Sequence, residues 1–217
     1  MMDSPGSARW AHVDAFLAFE DFPAYFLPLP PDARMNVVRS GGAGGFLSAG
    51  FAAFMVLDRV LENQGRRFSD AGRVLDFGCG CGRILRHWQD FAGDVELHGC
   101  DVDAEAVPWV QEHIDFVEAR VSSIEPPLPY DVDSFDLLYG NSIFSHLEEW
   151  NHLRWIAELH RVVTAGGTLV LTTHGPGALE LLEKTPERVS TVGLVPKQIA
   201  QARRDLDARG YAFCTQP

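Results

Sequence analysis

The sequence predicts an α/β fold in which a mostly parallel sheet is covered by helices on both faces. Three observations lead there. Between Arg73 and His174, short apolar runs alternate with stretches whose apolar residues recur every three or four positions. The connections between them are short and rich in glycine. The first run is apolar without interruption up to its acid, as a strand buried on both faces should be.

Taken in order, Arg73-Val74-Leu75-Asp76-Phe77 reads as the first strand, ending on glycines, and Ile84, Leu85, Trp88 and Phe91 follow at helical spacing. Val95–Cys100 reads as the second strand, and Asp103 is placed to cap the next helix. Pro108, early in that helix, predicts a kink or a late start. A weaker third strand is expected over 115–119 and a fourth over 134–139. Leu153, Ile156, Ala157, Leu159, Val162 and Val163 mark a helix expected to stop at Gly166-Gly167, before a fifth strand over 168–173 rich in β-branched residues. A last helix runs from Lys197 to Arg209 and closes at Gly210, after which Tyr211–Cys214 reads as the start of a sixth strand.

The first 70 residues differ in texture and read as a helical N-terminal cap, with 71–217 as the main domain. Phe16, Phe19, Phe22, Tyr25 and Phe26 lead into Pro28, Pro30 and Pro31, and a glycine cluster at 41–45 is followed by a helix through Phe46, Gly50, Phe54 and Leu61 that should end near Gly65.

At 217 residues with a net charge of −12, the chain is an acidic globular protein. That balance disfavours nucleic acid and anionic membranes, which need clustered cations. Four cysteines do not make a disulfide framework, and Met1-Met2-Asp3-Ser4 lacks the basic start of a signal peptide. No apolar run reads as a membrane span, and the reading is a cytoplasmic protein with reduced thiols.

The chemistry concentrates in Gly78-Cys79-Gly80-Cys81-Gly82, between a strand and a helix, where glycine lets the backbone approach a ligand. Asp76 stands just before the loop, and Asp101 ends the next strand 19 residues past the last loop glycine. A carboxylate in that place can accept from both hydroxyls of a ribose. Arg83 stands where a dinucleotide fingerprint carries glycine, and no phosphate-cradling G-x-x-x-x-G-K-[ST] occurs. An acid before the loop suits an ammonium better than a pyrophosphate. Cys79 and Cys81 lack the second pair that a zinc site needs, so no metal is expected.

The stretch Val74–Gly82 with Gly99–Asp103, the run Phe135–Tyr139 with Ser142–Leu147, and Glu158–Leu169 resemble, in order, the class I S-adenosylmethionine-dependent methyltransferases over residues 70 to 175. The resemblance implies a Rossmann-like three-layer sandwich, S-adenosylmethionine as cofactor, and a small-molecule acceptor methylated on oxygen, nitrogen or carbon. It places Asp76, Gly78, Cys79 and Gly80 at the methionine end, Asp101 on the ribose, Val102 on the adenine, and Asn141 beside the methionine moiety or the substrate. Where many members carry an aspartate for the adenine amino group, this chain reads Arg120-Val121-Ser122-Ser123, so Ser122 or backbone groups take that role. His146 is the candidate general base, since imidazole titrates near neutrality, ahead of His174 and Tyr139. The helix around Phe46 and Gly50 is expected nearest the methyl group. The family also implies two further strands, so the C-terminal strands read as incomplete. A non-catalytic module binding the same cofactor, an NAD-dependent oxidoreductase and a purely structural domain stay open as alternatives.

Overall fold

The computed structural model describes residues 27–37, 42–190 and 194–214. The aromatic stretch Phe16–Phe26 and Gly41 lie outside them. The strands are β1 (Arg73–Phe77), β2 (Glu96–Asp101), β3 (Val117–Val121), β4 (Phe135–Gly140) and β5 (Val163–Leu171). The helices are α1 (Asp32–Val37), α2 (Ala43–Asn63), α3 (Ala106–His113), α4 (Glu149–Val162), α5 (Pro176–Lys184) and α6 (Pro196–Arg209).

All strand pairings are parallel, in the order β3-β2-β1-β4-β5. The chain therefore winds outward from β1 through β2 to β3, then returns past β1 to build β4 and β5. At such a reversal the connections leaving the two central strands diverge, and a crevice opens at their carboxyl ends. Central β1 buries Val74, Leu75, Asp76 and Phe77, which is why its apolar run does not alternate.

One face of the sheet presents Val74, Leu97, Ala119, Leu137 and Tyr139 to α2, α3 and the 3₁₀ stretch Leu85–Phe91. Its centre is Trp88, fully buried, with ring centroids 4.4 Å from Phe68, 5.5 Å from Phe54 and 6.3 Å from Tyr139. The other face sets Leu75, Phe77, Cys100, Phe135 and Leu138 against Trp155, Leu159 and Val162 of α4. These are the two helical layers of the expected sandwich.

Helix α2 ends at Asn63 just before Gly65, α3 starts late after Asp103, and α6 closes at left-handed Gly210 as expected. Asp103 Oδ1 accepts from the amides of Glu105 and Ala106 at 2.9 and 3.0 Å, and Pro108 falls within the first turn of α3, where its missing N–H costs nothing. Several boundaries move. The helix after the glycine loop is a 3₁₀ stretch. β3 begins two residues later than expected, because Val117 N still closes a turn onto Ile114 O at 3.1 Å. α4 stops at Val162, not at the glycine pair. Ser134 N donates to Val162 O at 2.7 Å, and Val163 already pairs with Phe135; the register then shifts, and the ladder resumes at Leu137 and Thr168. Residues 211–214 form no strand; Tyr211 leaves α6 to set its ring edge-on to His152 at 5.6 Å.

Helix α2 also corrects one exclusion, since by length and composition it is apolar enough to cross a membrane. In this domain its buried face, Phe46, Phe54, Leu57 and Leu61, is part of the core.

Candidate functional site

The glycine loop leaves β1 and turns back over the end of β2. Gly78 N and Cys79 N both donate to Cys100 O, at 2.8 and 3.1 Å, which pins the loop to the neighbouring strand. Gly78 has φ +80, and a Cβ there would sit 2.1 Å from Ile143 Cδ1, so glycine is needed for both conformation and space. Gly80 has φ +52, but the position of its missing Cβ has no atom within 4 Å. The loop thus touches protein at Gly78 and faces open space at Gly80.

Asp101, at the end of β2, is held by one amide on each oxygen. Gly80 N donates to Oδ2 at 2.7 Å and Asp103 N to Oδ1 at 2.9 Å. A carboxylate has about four acceptor sites, so two remain for a ligand's hydroxyls. The fixed carboxylate joins the glycine loop to the turn after β2. Ser122 N donates to Asp101 O at 2.8 Å, placing the residue after β3 at the same edge, and Val102 beside it is half exposed.

Asp76 lies in register with Gly99 on one side and Tyr139 on the other. It is buried, and the Tyr139 hydroxyl lies against it without closing a well-formed hydrogen bond. Burial pushes the Asp76 carboxyl up to about 8; the Asp101 charge adds to this, while Tyr139 and Arg83 oppose it. A cation delivered beside Asp76 would reverse that balance.

The loop after β4 completes the rim. Asn141 is half-buried, and Ser142 holds φ +63, rare for a residue with a side chain, with its N donating to Thr172 Oγ1 at 2.7 Å. This turn presents Ile143 to Gly78. His146 follows one turn later and is exposed, as is His174 after β5. From the other side α2 comes close, since a Cβ at Gly50 would fall 2.1 Å from Arg83 O.

The structure therefore brings Asp76, Gly78, Cys79, Gly80, Asp101 and Ser122 together along the carboxyl ends of β1 to β3, with Asn141 following β4. Cys79 enters by its backbone: its thiol is buried against Gly99, and burial raises it well above the usual thiol range. Cys81 is likewise pushed up to about 11 by burial. Sequence reasoning missed Ile143, Ser142 and Thr172, whose roles rest on a loop conformation that no residue type announces. It also ranked Tyr139 low, although the parallel register sets it beside Asp76.

A half-open glycine loop, a buried acid for an ammonium and a fixed carboxylate for two hydroxyls fit S-adenosylmethionine. The fold is Rossmann-like, and fold and site together are similar to those of the class I methyltransferases. Residues 74–167 match the family model described as a methyltransferase domain. Among curated relatives, the chain is 31% identical over 150 residues to the malonyl-[acyl-carrier protein] O-methyltransferase of Salmonella typhimurium, covering 68% of this chain and 55% of that protein. It is 28% identical over 155 residues to the enzyme of the same name from Paenibacillus sp., covering 64% and 52%. The chain spans about half the length of the curated relatives it matches. Among solved structures, the PH0226 protein of Pyrococcus horikoshii shares the fold, with a TM-score of 0.54 and 18% identity over 80% of this chain and 71% of that one.

Proposed function

We propose that this chain is an S-adenosylmethionine-dependent methyltransferase that methylates a carboxylate oxygen of a small acyl group. The observation that carries the cofactor reading is Asp101, fixed by Gly80 and Asp103 with acceptor capacity left at the open side of the loop. The acceptor reading draws on the relatives' names, which specify O-methylation of malonyl groups on an acyl carrier protein. A carrier-bound acid is the acceptor we favour.

When bound, the cofactor supplies a sulfonium-activated methyl group. Asp76 holds its ammonium, the amides and open face of Gly78–Gly80 let the methionine chain lie against the backbone, and Asp101 accepts from the ribose hydroxyls. Val102 and Ser122 border the adenine. Asn141 orients the methionine end or the acceptor at the rim. The α2 segment around Phe46 and Gly50 walls the methyl side, where it excludes water and orients the nucleophile. A carboxylate is ionised at neutral pH and gives up no proton, so His146 takes a proton only when the acceptor is a hydroxyl or an amine.

The test is transfer of labelled methyl from S-adenosylmethionine to malonyl and other acyl groups, free and carrier-bound. Base-labile label in the acid, formed with one S-adenosylhomocysteine per methyl, is the expected result. Cofactor binding without transfer to any oxygen, nitrogen or carbon acceptor would leave a binding module instead.

A further inference from the structure

Away from the crevice, on the sheet face that carries α4, the structure gathers Glu96, His98 and Glu118. They offer one ligand atom each, all within 4.8 Å of one another. Their placement follows from register: Glu96 and His98 are two apart on β2, and Glu118 is His98's partner on β3. The imidazole is 1% exposed, edge-on to Phe135 at 5.3 Å and Tyr130 at 6.0 Å. Both carboxylates reach solvent, with side chains a little over half exposed.

The hydrogen bonding of His98 is unbalanced. Nε2 lies 2.7 Å from Glu96 Oε1, a contact that requires Nε2 to carry the proton and donate. Arg73 Nη2, at 3.3 Å from the same nitrogen, is the weaker neighbour. In the neutral ring, with its one proton on Nε2, Nδ1 is a bare lone pair. It is buried and has no hydrogen-bond partner, and what it faces is Glu118 Oε2 at 3.9 Å. Two Lewis bases look at each other across a gap too long for a hydrogen bond and wide enough for an ion about 2.1 Å from each.

We propose that His98 Nδ1 and Glu118 bind a divalent transition cation of the zinc class. Glu96, on Nε2, sets the tautomer that frees Nδ1, as a carboxylate does behind a metal-bound histidine, and water completes the ion's shell. Imidazole with a carboxylate selects this class over calcium or magnesium, which prefer all-oxygen shells. Arg73 and Arg120 pair with Glu96 and Glu118. Both arginine side chains are more than two-fifths exposed, and ion pairs of that kind are weak. Bound there, the ion clips edge strand β3 to β2, the strand whose end carries Asp101. The inference stands independently of the methyltransferase reading.

The test uses the full chain, stripped with chelator and titrated with Zn²⁺ and with Co²⁺. One saturable site is expected, with visible Co²⁺ bands of nitrogen and oxygen ligation and a thermal midpoint raised by roughly 5 °C at 100-fold excess over Kd. Glu118→Gln, a substitution at a solvent-facing carboxylate, should weaken the site at least about tenfold while leaving S-adenosylhomocysteine binding unchanged. His98→Asn should abolish it. The proposal is overturned if binding is not saturable, if Glu118→Gln binds as tightly as wild type, or if Co²⁺ shows the charge-transfer band of thiolates and so sits on the cysteines.

Discussion

Cofactor binding should carry a proton with it, because Asp76 must change its charge to hold an ammonium. In the free domain the carboxyl titrates at about 8, raised chiefly by burial. At pH 6 it is then ionised in about one molecule in a hundred. Binding the ammonium requires the carboxylate, so affinity for S-adenosylhomocysteine should fall about 100-fold from pH 9 to pH 6, or about 2.7 kcal/mol. Nearly one proton should leave at pH 6 and about half of one at pH 8. Calorimetry across that range, in buffers of different ionisation enthalpy, reads both quantities. Asp76→Asn should bind weakly and lose the linkage. A flat affinity with no proton release in wild type would refute the assignment of Asp76 to the ammonium.

The same residue should cost the free fold stability. A carboxyl raised above its unfolded value stabilises fully only below about pH 4, and that stability is lost as pH rises through 8, so Asp76→Asn should exceed wild type by on the order of 3–6 kcal/mol at pH 9 and match it at pH 4 in denaturant titrations. Gly78→Ala places a Cβ 2.1 Å from Ile143 Cδ1 at φ +80, which should cost about 2–4 kcal/mol and lower the thermal midpoint by roughly 5–10 °C. Trp88→Ala empties the centre of the α2 face and should cost about 3–5 kcal/mol. If the acceptor is a carboxylate, His146→Ala should leave kcat within about threefold of wild type, and a drop beyond about 100-fold would make His146 the base of a protic acceptor.

What could be read in the sequence, and what could not, divides along physical lines. Strand β1 and the glycine loop were legible because burial on both faces leaves an unbroken apolar run, and because only a tight strand-to-helix turn needs three alternating glycines. Asp101 was legible from its distance to that loop. The end of α4 was not, since Val162 and Val163 continue the apolar pattern while Ser134 draws the chain into the sheet. Residues 211–214 have strand composition, yet they leave α6 as coil with Tyr211 against His152. The Glu96–His98–Glu118 cluster was invisible because it depends on the register of β2 with β3, which one strand's sequence does not reveal. The place of Ile143 under Gly78 depends likewise on a left-handed Ser142.

If the loop and Asp101 form an S-adenosylmethionine site, calorimetric titration with S-adenosylhomocysteine and with NAD, on wild type and Asp101→Ala, will separate it from a dinucleotide site. The first ligand alone should bind, and the substitution, which removes two ribose acceptors, should weaken it about 100-fold. Binding of NAD instead, or of neither ligand to the folded chain, would contradict that assignment.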